Sequence, residues 1–413
     1  MKKIFGILVT SNNINNLFIQ QKSLYEKISK TFDEFFIINL INLQLFKKRK
    51  LYNDEYFNNS LPHNFKIITP ANKSELNKFL INKNLVAFMG FGKSLENFRI
   101  FFLIKKFNIR LLLLLNMGLG NHYLGKESSK TGLIINLIFF SYKLRKLVVY
   151  YLIKSLIFFN LFSRIDIYFT STKAILNNYN NSIGKKIEKI FPFLKINYFG
   201  KIIHINSRSF DMLSKPNLNL SEEKIIFIDG NFDHGDRIIR EGRPSEELRL
   251  KYFNQLNQFL LKLSNIFNKK VTLCLHPSSD LDTYKKYFGL FEICKKQTSE
   301  NIRKAFIVVF HDSTIIFDAI FLKKRIISLK TNMLGEHWMN RINFYQKHFG
   351  LFSYSLDEKK ELNKDLLQAE LEKITKNFDR YIEKEMIADD QILGEDKVID
   401  TVRKEYFVNN TFF

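Results

Sequence analysis

Cysteine is almost missing from this chain: Cys274 and Cys294 are the only two in 413 residues. Two cysteines build no disulfide framework, and without a CxxC or Cys/His spacing they offer no zinc module, so no metal site and no cofactor is expected. A reducing, cytoplasmic setting fits this usage. Proline (6) and glycine (16) are also scarce, which excludes collagen-like and linker-dominated chains. No charge-free apolar run reaches the ~18 residues of a membrane-spanning helix. The most hydrophobic stretch, Thr131–Phe162, is interrupted by Lys143, Arg145, Lys146 and Lys154. Met1-Lys2-Lys3 and the apolar residues after it lack the apolar length and cleavage site of a signal peptide, and Ile4–Thr10 reads as a first strand.

Acidic residues are in deficit, with 41 Asp+Glu against 64 Lys+Arg and a net charge of +23. Such an excess suits nucleic acid, an anionic membrane surface or phosphorylated substrates. Part of it is compositional, since Lys, Asn, Ile and Phe are enriched together, as an AT-rich coding sequence imposes. A nucleic-acid binder would show a concentrated basic stripe, a zinc module or an RNP-like aromatic strand. None is present, and no nucleic-acid partner is expected.

What the chain does have is 46% hydrophobic and 15% aromatic residues, enough for large cores. At this length two domains of roughly 200 residues are expected, because single cores stop growing near about 250–300 residues. Short apolar strands at Ile4–Thr10, Glu34–Ile41, Lys66–Ile68, Leu85–Gly90, Arg110–Leu115 and Asp166–Thr170 alternate with helical or loop segments. Glycine turns recur at strand ends, as in Gly90-Phe91-Gly92 and Gly118-Leu119-Gly120. The pattern restarts with strands at Lys224–Ile228, Lys270–Leu275, Phe306–Phe310 and Ile326–Leu329, and helices at Ser245–Asn268, Ser299–Ala305 and Thr314–Leu322. This grammar predicts an α/β protein with two parallel-sheet domains whose ligands gather at the carboxyl ends of strands. The expected division is a first Rossmann-like domain over 1–190, a linker over 191–221, a second Rossmann-like domain over 222–335, and helices over 336–413 that bridge or cap the two.

Within Thr131–Phe162, helical spacing places Leu144, Leu147, Val148, Tyr151, Leu152, Leu156 and Phe159 on one face. Lys143, Lys146, Tyr150 and Lys154 fall on another. Such a basic amphipathic helix lies on an anionic bilayer or packs on a sheet with its lysines in water.

Three polar motifs follow strands of the second half: Asp229-Gly230 with Asp233 and His234 behind it, His276-Pro277-Ser278-Ser279, and His311-Asp312-Ser313-Thr314. Asp229 is a candidate base for an acceptor hydroxyl, with Asp233 and His234 as rivals, and Gly230 allows a sharp turn. His276 can donate to a phosphate oxygen of a leaving nucleotide or shuttle a proton. Ser313 and Thr314 open a helix and supply hydroxyls for a phosphate, or Asp312 and Ser313 serve as N-caps. Asp280-Leu281-Asp282 reads as helix capping and solvent charge.

The succession Asp229-Gly230, His276-Pro277 and Ser313-Thr314 resembles the acidic-Gly, His-Pro and Ser-Ser/Thr motifs of bacterial sialyltransferases and polysialyltransferases. Their GT-B fold sets two Rossmann domains face to face across a cleft. The segment His311–Leu329 also resembles the wider GT-B donor-site pattern. The resemblance spans roughly 224–330, with Ile228 where a second acidic residue is usual and Thr314 where a second serine is usual. It implies an inverting, metal-independent transferase in which Asp229 is the base and His276 assists nucleotide departure. Gly230, Pro277, Ser278, His311, Asp312, Ser313 and Thr314 then surround the donor phosphate, and Asp318 binds the donor ribose. The implied partners are a nucleotide-sugar donor, such as a CMP-activated acid, and a glycan or glycolipid acceptor of surface polysaccharide, with peripheral contact to an anionic membrane. Competing classes are a nucleotide-sugar 2-epimerase, a CDP-polyol phosphotransferase and a non-catalytic membrane-surface protein.

Overall fold

The structure, a computed structural model, describes residues 2–10, 22–44, 65–81, 83–91, 95–114, 148–149, 151–171, 199–213, 223–230, 232–233, 237–238, 241–295, 297–358, 361–388 and 390–408. The expectations for the Gly118-Leu119-Gly120 turn and for His234 fall outside the described residues. The described residues up to 205 and from 392 onward form one compact unit, and those from 206 to 391 form another.

The first unit is built on seven parallel strands: β1 (Lys2–Val9), β2 (Glu34–Asn39), β3 (Phe65–Ile68), β4 (Lys83–Met89), β5 (Arg110–Leu114), β6 (Ile165–Thr170) and β7 (Phe199–His204). Their order across the sheet is β3-β2-β1-β4-β5-β6-β7. Successive side chains of a strand point to opposite faces, and β1 shows the consequence. Phe5, Ile7 and Val9 join one apolar cluster, while Ile4 and Leu8 join the other. The helix Gly394–Arg403 places Val398, Ile399 and Val402 on the Phe5 side. This late stretch therefore packs within the first unit, and the helices Glu336–Phe349 and Lys364–Thr375 pack within the second.

Strand β7 falls inside the region expected to be a linker. It escapes a hydrophobicity reading because Gly200 and Lys201 interrupt it. Gly200 is required there, since a Cβ would lie 2.6 Å from the Asp166 carbonyl oxygen on neighbouring β6.

Helical residues 151–158 correct the expected orientation of the basic helix. Lys154, expected on the basic stripe, is fully buried, while Val148, Leu152 and Phe159, expected on the apolar face, are exposed. The face that meets the core runs through Val149, Ile153, Leu156 and Ile157. The segment is apolar around most of its circumference, so period alone selected the wrong stripe. No helix among the described residues is long and apolar enough to cross a membrane.

The second unit carries β8 (Lys224–Ile228), β9 (Lys270–Cys274), β10 (Glu292–Cys294), β11 (Ala305–Phe310), β12 (Arg325–Lys330) and β13 (Phe352–Ser355). All six are parallel, in the order β10-β9-β8-β11-β12-β13. Counted along the chain this is the 3-2-1-4-5-6 order of a doubly wound Rossmann sheet. The first sheet repeats that order and adds a seventh strand. Near-continuous burial of β8 and β11 fits strands covered on both faces. The helix Glu246–Phe267 buries Tyr252, Phe253, Leu256, Phe259, Leu260, Leu263 and Phe267 against the sheet. Ser245 caps its start by accepting from the Leu248 N–H, and Asn268 ends it in the left-handed region at φ 49°.

Candidate functional site

In a sheet of this order the chain reverses direction between β8 and β11, and that switch point is where doubly wound folds place ligands. Residues 229–230 leave β8 there, and residues 311–314 leave β11 beside them. Gly230 makes the close approach possible, because a Cβ at this position would come within 3.0 Å of the Asp312 carbonyl oxygen. Strand β9 pairs with the other side of β8 and delivers His276 to the same rim.

Asp229 is buried, at 3% exposure. Its Oδ2 accepts from the His276 backbone N–H at 3.2 Å and the Ser279 hydroxyl at 2.5 Å, and its Oδ1 accepts from the Tyr284 hydroxyl at 2.6 Å. A carboxylate expected to take a proton from an acceptor thus has both oxygens engaged by protein donors, and it ties the loop after β9 to the end of β8. Burial, reinforced by the Asp229 charge, pushes the Tyr284 hydroxyl well above its ordinary range, keeping it a donor. Asp233, a rival for the base, is held by Arg249 through contacts of 2.9 and 3.1 Å.

His276 is half-buried. The Ser278 backbone N–H donates to its Nδ1 at 3.2 Å, with the Ser278 hydroxyl 2.7 Å from the same atom. A nitrogen that accepts from an amide carries no proton, so in the neutral ring the proton resides on Nε2. His276 accordingly offers a donor, the polarity a phosphate oxygen requires. Pro277 and Ser278 are exposed on the turn that fixes this tautomer.

His311 has the opposite polarity. Its Nδ1 lies 3.0 Å from the Leu329 carbonyl oxygen, which can only accept, so Nδ1 bears the proton and Nε2 is a bare acceptor. Burial lowers its pKa to about 4, against a small opposing contribution from the Leu329 bond, and the ring is neutral at pH 7. Asp312, also buried, is gripped by Arg341 at 2.7 and 3.1 Å, and it does not cap the helix Ile316–Phe321.

Ser313 is half-buried and Thr314 exposed. Neither caps the helix that follows, and among the described residues neither hydroxyl has a protein partner. Asp318, expected at the ribose, is buried and turned into the protein. The Ser209 hydroxyl donates to its Oδ1 and the Ser299 hydroxyl to its Oδ2, the latter at 2.6 Å. Asp280 accepts from the Thr283 N–H at 3.0 Å and caps the helix Leu281–Phe288, the role its spacing predicts.

Motif reading missed Arg237 and Trp338. Both line, with Gly230, Tyr252, His311 and Asp312, a small cavity of about 20 Å³. Arg237 is 4% exposed, its Nη2 donates to the Met333 carbonyl at 2.8 Å, and its guanidinium lies 4.3 Å over the Phe232 ring. Phe232 in turn stacks on Tyr252 at 4.3 Å. No strand-end pattern marks Arg237, because it follows β8 by several polar residues. Among the described residues, no group of three or more His, Cys, Asp or Glu side chains is placed to hold a metal ion.

No protein-family model and no curated protein matches this chain. Among solved structures, that of the wall teichoic acid polymerase TagF is similar over 98% of this chain and 89% of that one, with a TM-score of 0.53 and 13% identity. A Listeria monocytogenes protein described as a UDP-N-acetylglucosamine 2-epimerase covers 99% of this chain and 98% of its own, with a TM-score of 0.46 and 11% identity. Arabidopsis thaliana UGT89C1 complexed with quercetin covers 98% and 99%, with a TM-score of 0.46 and 9% identity. The likeness to TagF is one of fold, and it agrees with the strand orders: the chain has the two Rossmann-like domains of a GT-B fold.

Proposed function

We propose that this protein transfers a group, most simply a sugar, from a nucleotide-activated donor to a glycan or glycolipid acceptor. The observation that carries the reading is the rim of the second sheet. There a histidine donor on a carboxylate-anchored turn and two hydroxyls without partners among the described residues surround the switch point between β8 and β11. Donors aimed at one place stabilise the charge that grows on a departing phosphate. In this reading Ser313 and Thr314 hold the donor phosphate and the Nε2–H of His276 donates to it. Gly230 admits the ligand close to the backbone, and Pro277 and Ser278 fix the His276 turn. Asp229 positions the His276 turn in place of serving as the base expected from the motif, and Asp318 braces the segment behind Ser313-Thr314 in place of binding the ribose. The acceptor hydroxyl's proton passes to solvent water as its oxygen bonds the transferred group and the bond to the donor phosphate breaks. Neither step needs a metal. The excess of positive charge favours an anionic donor and an anionic acceptor alike.

Fold likeness to a teichoic acid polymerase supports a second reading, transfer of a polyol phosphate from a CDP-activated donor. The CMP-activated acid of the sialyltransferase-like reading and the CDP-polyol share a cytidine nucleotide, so one screen addresses both. Thermal unfolding with CMP, CDP, UDP and GDP should show stabilisation by cytidine nucleotides that Ser313→Ala weakens about tenfold, the value of one lost hydrogen bond to a charged group. A preference for UDP would move the reading to another nucleotide-sugar enzyme, such as the epimerase class. No shift with any nucleotide would remove the donor site.

A further inference from the structure

Three residues that line the small cavity beside the switch point carry four buried polar atoms with no hydrogen-bond partner among the described residues. Three are donors, the Nε and Nη1 of Arg237 and the Nε1 of Trp338, and one is an acceptor, the Nε2 of His311. Buried polar groups are almost always paired, and a buried guanidinium with donors left over is costlier still. Asp233 and Glu241 oppose the effect of burial on Arg237 through their charges, but Asp233 hydrogen-bonds to Arg249, and Glu241 to the His337 backbone N–H at 3.1 Å. Arg237 is nonetheless held rigidly, between the Met333 carbonyl and the face of Phe232. It also lines a larger recess of about 540 Å³ with Lys251 and Asn332 and with two acids, Glu241 and Asp357, the latter engaged by the Thr331 hydroxyl and the Asn332 N–H. A fixed cation with spare donors that lines both a small cavity and a larger recess suits an anionic group.

We propose that Arg237, Trp338 and His311 form a subsite that takes a second anionic group of the activated donor together with a hydroxyl next to it. The anionic oxygens accept from Arg237 and Trp338, and the hydroxyl donates to His311 Nε2. One phosphate at Ser313-Thr314 and a second anion at Arg237 describe two donor classes. The second anion is either the β-phosphate of a nucleoside diphosphate compound or the carboxylate of an acidic sugar linked to a nucleoside monophosphate. This inference rests on the donor-site reading above.

Trp338 is the chain's only tryptophan, so its emission reports the subsite directly. The full chain and its Arg237→Met variant would be titrated with CMP, CDP and a CMP-linked ulosonic acid, following Trp338 emission and thermal unfolding. The wild type should bind CDP or the CMP-linked acid at least tenfold more tightly than CMP. A gain with CDP identifies the β-phosphate, and a gain with the CMP-linked acid identifies the carboxylate. Arg237→Met should lose that gain, keep the CMP affinity, and unfold at or above the wild-type temperature, because a buried cation has been replaced by an apolar side chain of similar length. Equal binding of all three ligands by the wild type would overturn the proposal. So would an Arg237→Met variant that keeps the gain and unfolds at a lower temperature, since the guanidinium would then be structural and the cavity a water site. If the wild type bound none of the three, the donor-site reading itself would fall.

Discussion

The two sheets share a strand order and differ at the rim. In the first unit the described end of β1 meets backbone donors, the Leu40 N–H donating to Val9 O and the Gly90 N–H to Leu8 O, both at 2.7 Å. Around it Val9, Leu40 and Met89 are buried and apolar, and Asn39 is a buried neutral amide whose Oδ1 accepts from the Ile41 N–H. In the second unit the corresponding end of β8 is closed by a carboxylate, and the buried groups nearby are Asp229, Arg237, Ser279, His311 and Asp312. Topology is therefore not what makes a site, since both sheets offer a switch point. Among the described residues, the difference lies in which rim buries charged groups. Protein stability gains little from such groups, so a ligand is the economical explanation for their concentration.

The sharpest way to break this comparison is to remove the carboxylate. Asp229→Ala strips three donors of a charged acceptor and leaves two buried hydroxyls and a backbone N–H unsatisfied. A loss of about 4 kcal/mol is expected from bonds of this kind. Denaturant unfolding should show it as a lowered midpoint for the second unit with the first unit's transition unmoved. A loss below about 1 kcal/mol would mean that Asp229 is held for chemistry and contributes little to the fold, returning it to the role of base.

A somewhat smaller effect follows from His311. Its pKa is lowered from 6.5 to about 4 in the folded protein by burial. Between those values the unfolded chain binds a proton that the folded chain does not. The contribution of neutral burial is thus fully present above pH 6.5 and is lost as pH falls toward 4, by roughly 3 kcal/mol in all. His311→Asn has no such titration, and its stability difference from wild type should shrink across that window. A wild-type and a variant curve that stay parallel from pH 7 to pH 4 would show His311 to be solvated or paired in the folded protein.

Much of this architecture is visible in the sequence, and the reasons for what is not visible are physical. Strands buried on both faces announce themselves as unbroken apolar runs, which is why β8, β9, β11 and β12 lie within a residue or two of where Lys224–Ile228, Lys270–Leu275, Phe306–Phe310 and Ile326–Leu329 predict them. The edge strands β7, β10 and β13 are short or mixed in polarity and carry no such signal. Strand ends likewise pointed to Gly230, His276 and the 311–314 segment, because a polar residue directly after an apolar strand has few places to go. Side-chain partners were not legible. Ser209 and Ser299 reach Asp318 from 109 and 19 residues away, and Tyr284 reaches Asp229 from 55 residues away. Arg237 belongs to the same class, since its meaning comes from Phe232, Met333 and the cavity.

The smallest predicted effect calibrates the rest. Each unit has a helix whose cap accepts a backbone N–H three residues on, Asn72 from Glu75 at 3.1 Å in the first and Ser245 from Leu248 at 3.1 Å in the second. Both caps are exposed, so neither depends on the buried rim groups in which the two sheets differ. Asn72→Ala and Ser245→Ala should each cost about 1 kcal/mol. Equal losses, read from the two transitions in thermal or denaturant unfolding, would show that the units respond alike to a like perturbation. The larger response to Asp229→Ala would then belong to its rim and not to a generally weaker second unit. A Ser245→Ala loss several times that of Asn72→Ala would instead make the second unit fragile as a whole, and the contrast between the two rims would lose its meaning.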